Sequence, residues 1–305
     1  MRHRPRGPVN APKKPRPYPL AGRSDTSHTT VVRFPDTDIT IGGDKVTVIA
    51  GPCSVEGYDM LIEVARGVKA SGASLLRGGA FKPRTSPYTF SGLGVDALEM
   101  LATVRAETGL PVVTEVIDTR LVDTVAMYAD VLQIGARNMH NYALLSEVGR
   151  LRKPVLLKRG FAATIAETVM AAEHIMTQGN TDVIICERGI RTFETATRNT
   201  FDVAAIPVLK IETHLPVMVD PSHAAGRTDI MAALSNAAIA AGADGLIIEV
   251  HPRPAEALSD ADQSLSLAEF DALMRGLAPF IAASGKTLVT AGAPRGVPTE
   301  PGHVA

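Results

Sequence analysis

Six basic side chains follow short apolar stretches of the 305-residue chain, and together they predict a site for a multiply charged anion. They are Arg77, Lys82, Arg84, Arg137, Lys158 and Arg188. Like charges gathered in one place repel one another unless anions neutralise them. Arg offers a flat pair of donors to carboxylate and phosphate, whereas Lys supplies a compact positive charge. The expected ligands therefore carry two phosphates, or a phosphate and a carboxylate.

A second set of residues combines side chains that bind metal ions: Cys53, His223, Glu249 and Asp260. Thiolate, imidazole and carboxylate ligands of mixed hardness suit Mn²⁺, Fe²⁺, Co²⁺ or Zn²⁺. The four are far apart in the chain, unlike the closely spaced ligand pairs of most structural zinc sites. On spacing alone, Cys53 is as readily a small buried hydrophobe as a ligand. Cys186 lies inside an apolar stretch and is expected in the core.

Eight apolar stretches predict the strands that must bring these residues together. They are Val46–Ala50, Ser74–Leu76, Val112–Val116, Val131–Ile134, Val155–Leu157, Val183–Cys186, Val217–Val219 and Leu246–Val250. Near-continuous apolar strands with helical crossovers indicate a parallel sheet that is covered on both faces. Eight such units in about 240 residues predict an α/β fold, a single (β/α)8 TIM barrel, whose functional side chains gather at the C-terminal strand ends.

Amphipathic segments between the strands predict the helices. They are Met60–Ala70, Asp96–Glu107, Thr119–Tyr128, Tyr142–Val148, Ile165–Gln178, Asn199–Ala205, Thr228–Ala241 and Leu267–Ala283, of which Asn199–Ala205 has the weakest pattern. An open doubly wound sheet is the alternative fold. It requires a glycine-rich phosphate-binding turn after the first strand, where this sequence has Gly51–Ser54 (GPCS) and no GxGxxG.

The barrel is expected to span residues 45–285, with other segments on either side. Residues 1–28 are rich in Pro, Arg and Lys and predict a disordered basic tail. Residues 29–44 alternate apolar and polar positions and predict an N-terminal β-hairpin cap. Residues 286–305 contain three prolines and predict a flexible C-terminal tail.

Composition excludes several classes of protein. Two cysteines are too few for a disulfide-stapled scaffold, and the absence of Trp argues against a stacking platform for nucleic acid. Residues 1–23 carry seven Lys/Arg and no acid, so the remainder has 24 basic against 32 acidic residues, a net charge of −8. A body that acidic binds anions only where its cations are gathered locally. Without a spanning apolar stretch or a signal peptide, we expect a soluble, cytoplasmic protein with no membrane or nucleic-acid partner.

Seven motifs of the chain resemble those of type I-beta 3-deoxy-D-arabino-heptulosonate-7-phosphate (DAHP) synthases. They are Ala50–Glu56 (AGPCSVE), Arg77–Tyr88 (RGGAFKPRTSPY), Gln133–Asn138 (QIGARN), Leu157–Gly160 (LKRG), Cys186–Gly189 (CERG), Asp220–His223 (DPSH) and Glu249–Pro252 (EVHP). The motifs are long, stand in the same order, and fall at the predicted strand ends. The resemblance extends over about residues 40–285.

The resemblance implies a transferase that condenses phosphoenolpyruvate with erythrose 4-phosphate and water, releasing phosphate, in the first step of the shikimate pathway to aromatic amino acids. It implies a divalent metal, with Mn²⁺ expected and Fe²⁺, Co²⁺ or Zn²⁺ as alternatives, on Cys53, His223, Glu249 and Asp260. In the family, the counterparts of Arg77, Lys82, Arg137, Lys158 and Arg188 hold phosphoenolpyruvate. Gly135 and Ala136, from the motif of Arg137, join the substrate-binding residues. Arg84, Thr85 and Ser86 correspond to the residues that receive erythrose 4-phosphate.

Four residues are expected to act on the reacting groups: Lys82, Glu115, Lys158 and Asp220. The cations would hold the two substrates face to face, and the metal would act as a Lewis acid on the aldehyde oxygen. Glu115 is placed to orient, through Lys158, the water that adds to C2 of phosphoenolpyruvate. Asp220 beside His223 would tune that ligand or relay a proton.

Two other functions remain as alternatives. A related family makes 3-deoxy-manno-octulosonate 8-phosphate from arabinose 5-phosphate and shares much of the phosphoenolpyruvate site. Its second-substrate loop characteristically reads Ala-Asn-Arg-Ser-Ser, whereas this chain has Lys82–Ser86 (KPRTS). A barrel that serves only as a binding or regulatory protein is expected to have lost motif residues at its strand ends. None of the motifs above has lost such residues.

Assembly and regulation are also expectations from the resemblance. Family members are commonly oligomers, so we expect a homo-oligomer, a tetramer or a dimer. Many members carry a fused ferredoxin-like or chorismate-mutase domain, but only about 45 residues precede the first strand here, fewer than either fold needs. We therefore expect no built-in feedback site, and feedback inhibition would need a regulatory partner in trans.

Overall fold

Eight parallel strands close into a barrel in the computed structural model, which describes residues 17–25, 28–35, 37–82 and 88–291. A hairpin of β1 (Val32–Arg33) and β2 (Thr40–Ile41) comes before them. The barrel strands are β3 (Lys45–Gly51), β4 (Leu75–Arg77), β5 (Val112–Glu115), β6 (Val131–Ile134), β7 (Val155–Lys158), β8 (Val183–Glu187), β9 (Val217–Val219) and β10 (Gly245–Glu249). Because β10 pairs in parallel with β3, the sheet has no open edge between its first and last barrel strands. The predicted (β/α)8 barrel is confirmed.

Helices cover the outside of the barrel and follow the predicted order. They are α1 (Tyr58–Ala70), α2 (Val95–Thr108), α3 (Val122–Tyr128), α4 (Tyr142–Arg150), α5 (Ile165–Met176), α6 (Ala205–Glu212), α7 (Pro221–Ala225), α8 (Met231–Ala240) and α9 (Leu267–Ala283). The short α7 was not predicted. It begins at Pro221, and the Asp220 side chain caps it by accepting a hydrogen bond from the backbone of His223.

The helix predicted at Asn199–Ala205 is wrong, because α6 begins only at Ala205. The segment before it forms a loop whose backbone donors serve other elements. Ile190 and Thr200 form an isolated antiparallel bridge, and the Arg198 and Asn199 amides donate to carbonyls of α7. These long-range hydrogen bonds replace the local ones that a helix would need.

The hairpin closes the N-terminal end of the barrel. Its apolar residues Val32, Phe34, Ile39 and Ile41 belong to one buried cluster with the interior residues of the barrel strands, such as Ile49. The larger cluster, between the strands and the helices, contains the residues that alternate with these. This confirms the predicted cap and leaves the C-terminal end of the barrel for the polar residues.

The structure describes a part of each segment predicted as a tail. Residues 1–16, 26–27 and 292–305 lie outside the described ranges. Tyr18 and Ala21 are buried, and the amides of Leu20 and Ala21 donate to the buried Glu173 carboxylate of α5. Residues 287–288 form β11 (Thr287–Leu288), which pairs with the start of β3. Burying a carboxylate requires donors, and in α5 the chain before the hairpin supplies them.

The described residues contain no helix that is both long and apolar enough to cross a bilayer.

Candidate active site at the C-terminal end of the barrel

Polar side chains line the inside of the barrel at its C-terminal end because a strand repeats its side-chain direction every two residues. Leu75, Val113 and Leu156 belong to the apolar interior cluster. Two residues further along the same strands come the charged residues Arg77, Glu115 and Lys158. The same offset leads from Val131, Met218 and Ile247 to Gln133, Asp220 and Glu249. The polar layer therefore lies next to the apolar layer, on its side toward the C-terminal ends of the strands.

The structure brings the four predicted metal ligands together. One potential ligand atom from each of Cys53, His223, Glu249 and Asp260 lies within 4.8 Å of the others. Cys53 Sγ is 2.7 Å from Asp260 Oδ2, and His223 Nε2 is 3.5 Å from Glu249 Oε1. Asp260 has a φ of 54°, the one left-handed non-glycine residue in the described ranges. No other group of three or more such side chains occurs among the described residues.

Glu249 provides the test of whether this group fits a metal ion. Its Oε1 is buried and makes no hydrogen bond to the described part of the chain. Arg77 Nη1 lies 2.9 Å away and His223 Nε2 lies 3.5 Å away, but as ion-pair contacts only. A buried carboxylate oxygen without a hydrogen bond is rare unless another group completes its coordination. With sulfur, nitrogen and oxygen donors around one point, the four residues fit a divalent metal ion.

Burial sets the protonation of the nitrogen and sulfur ligands. Burial raises the pKa of the Cys53 thiol, and the charge of Glu249 raises it further, while Lys82 opposes both. Burial also lowers the pKa of His223, which favours the neutral imidazole that can bind a metal. The pKa of Asp260 stays below its usual range despite burial, because of the charge of Lys82 and a hydrogen bond from Cys53.

A cavity of about 320 Å³ opens beside the metal ligands. Five of the six predicted cations line it: Arg77, Lys82, Arg137, Lys158 and Arg188. Gly135, Ala136, Glu115 and the ligands His223 and Asp260 line it as well. The predicted residues Arg84, Thr85 and Ser86 lie outside the described ranges. The predicted anion-binding residues and the predicted metal ligands thus face one cavity.

An aromatic ring holds two of these cations in place. The guanidinium carbons of Arg188 and Arg137 lie 4.8 Å and 5.5 Å from the ring centroid of Phe161, which also lines the cavity. These are cation–π distances, at which the ring stabilises a positive charge without neutralising it. The ring contact itself uses none of the N–H donors of either group, although Arg188 also makes long hydrogen bonds to the carbonyl oxygens of Gly189 and His223.

Asp220 joins the predicted ligand His223 to a cation of the cavity. Its Oδ2 is 2.5 Å from Lys158 Nζ and 2.7 Å from His223 Nδ1. Burial alone would raise the pKa of Asp220, but the charges of His223 and Lys158 hold it well below its usual range. With Nδ1 beside this carboxylate, Nε2 of His223 faces Glu249.

Glu115 has a different partner from the expected one. Its carboxylate accepts a hydrogen bond from Gln133 Nε2 at 3.3 Å, whereas Lys158 binds Asp220. Burial raises the pKa of Glu115, against the lowering effect of Lys82 and Lys158. Gly135 makes room for this carboxylate, since a Cβ on Gly135 would lie 2.0 Å from Glu115 Oε1.

Several residues of the site carried no usable sequence signal. Arg198 and Thr89 also line the cavity, and Gln263 binds Glu249. None of these three directly follows a predicted strand. Arg198 belongs to the segment that the sequence pattern assigned partly to a weak helix. Only the length of that connection, which exceeds ordinary barrel loops, distinguishes it in sequence.

A (β/α)8 barrel with a metal-ligand group beside a cationic cavity at the C-terminal strand ends is typical of enzymes that act on phosphorylated substrates. The family can be stated more closely. The chain belongs to the DAHP synthetase I family, whose profile matches residues 24–280. The resemblance found in the sequence motifs is thereby confirmed.

Named relatives agree with this family. The chain is 52% identical over 260 residues to a phospho-2-dehydro-3-deoxyheptonate aldolase of Thermotoga maritima, covering 85% of this chain and 76% of the relative. It is 34% identical over 257 residues to a 2-dehydro-3-deoxyphosphooctonate aldolase of Syntrophotalea carbinolica, covering 77% and 92%.

Solved structures of Thermotoga maritima enzymes have the same fold. The crystal structure of its phospho-2-dehydro-3-deoxyheptonate aldolase (DAHP synthase) superposes with a TM-score of 0.86 at 50% identity, covering 90% of this chain and 79% of that one. A truncated form of 3-deoxy-D-arabino-heptulosonate 7-phosphate synthase superposes with a TM-score of 0.83 at 47% identity, covering 89% and 99%.

Proposed function

We propose that the chain condenses phosphoenolpyruvate with erythrose 4-phosphate and water to give 3-deoxy-D-arabino-heptulosonate 7-phosphate and phosphate, the first step of the shikimate pathway. The observation that carries this proposal is the junction between the metal ligands and the cationic cavity. Lys82 Nζ is 2.7 Å from Cys53 Sγ and 3.8 Å from Asp260 Oδ2, and Lys82 also lines the cavity. A substrate bound by these cations is therefore within reach of the metal ligands.

The cations of the cavity match the charge of phosphoenolpyruvate. Arg137 and Arg188, held against Phe161, can each offer two parallel donors to a phosphate or carboxylate. Lys158 and Lys82 add compact positive charge. Arg84, Thr85 and Ser86 are proposed to receive erythrose 4-phosphate. Fixing both substrates in one cavity supplies the proximity that carbon–carbon bond formation needs.

Cys53, His223, Glu249 and Asp260 are proposed to hold the divalent metal, with Mn²⁺ as the first candidate and Fe²⁺, Co²⁺ or Zn²⁺ as the alternatives. When bound, the ion would supply Lewis-acid polarisation of the aldehyde oxygen. Lys82 balances the negative charge of the Cys53 thiolate. Asp220 keeps His223 in the tautomer whose Nε2 faces the other ligands.

Glu115 is proposed as the base for the water. The enol carbon of phosphoenolpyruvate forms a bond to the aldehyde carbon, and the aldehyde oxygen takes a proton, for which Lys82 is the proposed donor. Water then bonds to C2 and gives a proton to Glu115. The C2–O bond to phosphate breaks as the new C2 hydroxyl becomes the ketone, and the hydroxyl proton leaves with the phosphate. A buried carboxylate whose pKa is raised holds that proton better at neutral pH than an exposed one.

The test is a comparison of two sugar phosphates. The purified chain is given Mn²⁺ and phosphoenolpyruvate with either erythrose 4-phosphate or arabinose 5-phosphate, and phosphate release is followed. We expect at least about tenfold higher kcat/KM with erythrose 4-phosphate, a difference of roughly 1.4 kcal/mol in transition-state binding. Faster turnover of arabinose 5-phosphate would instead support 3-deoxy-manno-octulosonate 8-phosphate synthesis, the runner-up. Phosphoenolpyruvate binding without phosphate release would support a non-catalytic barrel.

A homo-oligomer, either a tetramer or a dimer, in the cytoplasm remains part of the proposal, and sedimentation of the purified chain tests its size. Feedback inhibition by an aromatic amino acid is proposed to require a second protein. Strong inhibition of the isolated chain would contradict that part alone.

A further inference from the structure

The loop between β8 and α6 is attached to the helix that carries His223. The amides of Arg198 and Asn199 donate to the carbonyl oxygens of Ala225 and Ala224 at 2.9 and 3.0 Å. Asn199 Nδ2 donates to the carbonyl oxygen of His223 itself at 2.8 Å. Three hydrogen bonds from two adjacent residues therefore fix the end of α7, and with it the backbone of one metal ligand.

The Arg198 side chain reaches a second ligand directly. Its Nη1 donates to Asp260 Oδ1 at 3.1 Å. The other oxygen of this carboxylate, Oδ2, faces Cys53 Sγ at 2.7 Å. Because Arg198 binds one oxygen of Asp260, the second oxygen is turned toward the other ligands.

A third ligand is connected to Arg198 through an amide. The same Nη1 donates to Gln263 Oε1 at 2.6 Å, and Gln263 Nε2 donates to Glu249 Oε2. The amide of Gln263 uses its oxygen toward Arg198 and its nitrogen toward Glu249. One guanidinium nitrogen thus orders the carboxylates of Asp260 and Glu249 together.

The backbone conformations at Asp260 and Gly226 also point to the importance of the contacts with Arg198. Asp260 lies in the left-handed region, which costs a non-glycine residue free energy unless its surroundings fix it. At the end of α7, Gly226 has a φ of +70°, and a Cβ there would lie 2.4 Å from Arg198 Cβ. The chain approaches Arg198 closely at Gly226, where no other residue would fit without displacement.

We propose that Arg198 and Asn199 are positioning residues for metal binding. Arg198 orients Asp260 directly and Glu249 through Gln263, and Asn199 holds the helix end that carries His223. Neither residue is placed against Cys53, which has Lys82 beside it. Arg77 beside Glu249 and Asp220 beside His223 give those two ligands further support. This inference rests on the proposed function, in which the four ligands hold a divalent metal.

A competing role for Arg198 must be separated by experiment, because the residue also lines the cationic cavity. If Arg198 served mainly to bind substrate, its removal would raise the KM for a phosphorylated substrate and leave metal affinity unchanged. If it positions ligands, metal affinity falls in the absence of any substrate. Metal binding without substrate is therefore the deciding quantity.

The experiment titrates the chelator-treated full chain with Mn²⁺ by calorimetry and with Co²⁺ by absorption, where the thiolate of Cys53 gives a sulfur-to-metal band. We expect Arg198→Ala and Asn199→Ala each to weaken metal binding by about 10- to 100-fold. Arg198→Lys should restore part of the loss, since both hydrogen bonds come from one nitrogen. Arg227→Ala is the matched control, because Arg227 binds Ala196 and Asp229 and touches no ligand.

Folding is checked by thermal unfolding without metal. Arg198 is 38% exposed, so its variants are expected to unfold near the wild-type temperature. If Arg198→Ala fails to fold, Arg198→Lys and Gln263→Ala carry the test. Unchanged metal affinity in folded variants, with a raised KM, overturns this inference and leaves the proposed function intact. A wild-type chain that binds neither ion contradicts the proposed metal-dependent function itself.

Discussion

Lys82 donates a hydrogen bond to the thiol of Cys53, with Nζ 2.7 Å from Sγ. The contact joins a cation of the cavity to one of the proposed metal ligands. Burial raises the pKa of Cys53, with Glu249 adding to the effect, so the thiol keeps its proton near neutral pH, although Lys82 opposes the shift. The thiol must lose that proton before sulfur can bind a metal.

Metal binding is therefore expected to release about one proton from Cys53, and the apparent affinity should rise about tenfold per pH unit near neutrality. Calorimetry in two buffers of different ionisation enthalpy measures the released proton. Cys53→Ser should remove the proton release and weaken binding, because a neutral hydroxyl replaces a soft thiolate. Proton release that is equal in both proteins would contradict the assignment of sulfur as a ligand.

A methyl group at Gly135 should damage catalysis without affecting the metal. In Gly135→Ala, the added Cβ would meet Glu115 Oε1 at 2.0 Å, so the carboxylate must move from its place beside Gln133. We expect kcat to fall by about 10²-fold, the effect of misplacing a catalytic group by about 1 Å. Steady-state kinetics measures the fall in kcat, and Mn²⁺ titration checks that the metal affinity is unchanged.

Gly276→Ala is the matched control for that change. Gly276 lies in α9, and a Cβ there meets nothing within 4 Å. Alanine favours a helix over glycine by roughly 0.5–1 kcal/mol, so this variant should be slightly more stable and equally active. Wild-type kcat in Gly135→Ala would show that Glu115 does not need its observed position.

Asp220→Asn should destabilise the fold as well as the site. The carboxylate binds both Lys158 and His223, and the change leaves the buried ammonium of Lys158 without its counter-charge. Removing one partner of a buried ion pair costs about 3–5 kcal/mol in the free energy of unfolding. Denaturant unfolding measures the loss. Asp229→Asn is the control, because its pair with Arg227 is exposed and should contribute little.

The contacts of Asp220 with Lys158 and His223 also predict that the stability of the fold decreases in acid. The pKa of Asp220 is lowered in the folded state, mainly because His223 and Lys158 outweigh burial. Its contribution to stability is thus complete above the unfolded-state pKa of about 3.9 and is lost as the pH falls further. Asp220→Asn should lack this part of the decline. Parallel curves for the two proteins below pH 4 would contradict the pairing.

His214 should make the attachment of the N-terminal segment sensitive to pH. Its Nε2 lies 2.6 Å from the Leu20 carbonyl oxygen and its Nδ1 lies 2.8 Å from Thr30 Oγ1. Burial lowers the pKa of His214. A lowered histidine pKa means that this stability is complete above about pH 6.5 and is lost as the pH falls below it. Limited proteolysis near residue 20 should therefore accelerate in mild acid.

His214→Gln is the control for that prediction, because glutamine offers a donor and an acceptor and does not titrate. Cleavage of this variant should be independent of pH between about 5 and 7, once the protease's own pH profile has been subtracted. Cleavage of the wild-type chain that does not change over the same range would contradict the role of His214.

The barrel could be predicted from the sequence because its strands are buried on both faces. Val131–Ile134 and Val217–Val219 were predicted with the bounds that the structure has. Such strands appear as short apolar runs, and their C-terminal ends identified Arg77, Lys158 and Glu249 as residues of one site.

Contacts between distant segments could not be predicted in the same way. Glu173 of α5 binds the backbone of Leu20, and nothing local to either segment indicates the other. The loop with Arg198 is ordered by α7 and Asp260 rather than by its own sequence. The supporting residues of the site therefore appear only in three dimensions, whereas the proposed ligands and cations were indicated by residue types near strand ends together with the resemblance of their motifs to a known family.

The most direct test of the central claim is phosphate release from phosphoenolpyruvate and erythrose 4-phosphate by the chelator-treated chain during titration with Mn²⁺. Activity is expected to be absent without the ion and to saturate at about one ion per chain, with Cys53→Ser requiring far more Mn²⁺. Full activity in the presence of excess chelator would contradict the claim that these four ligands and the cationic cavity act together.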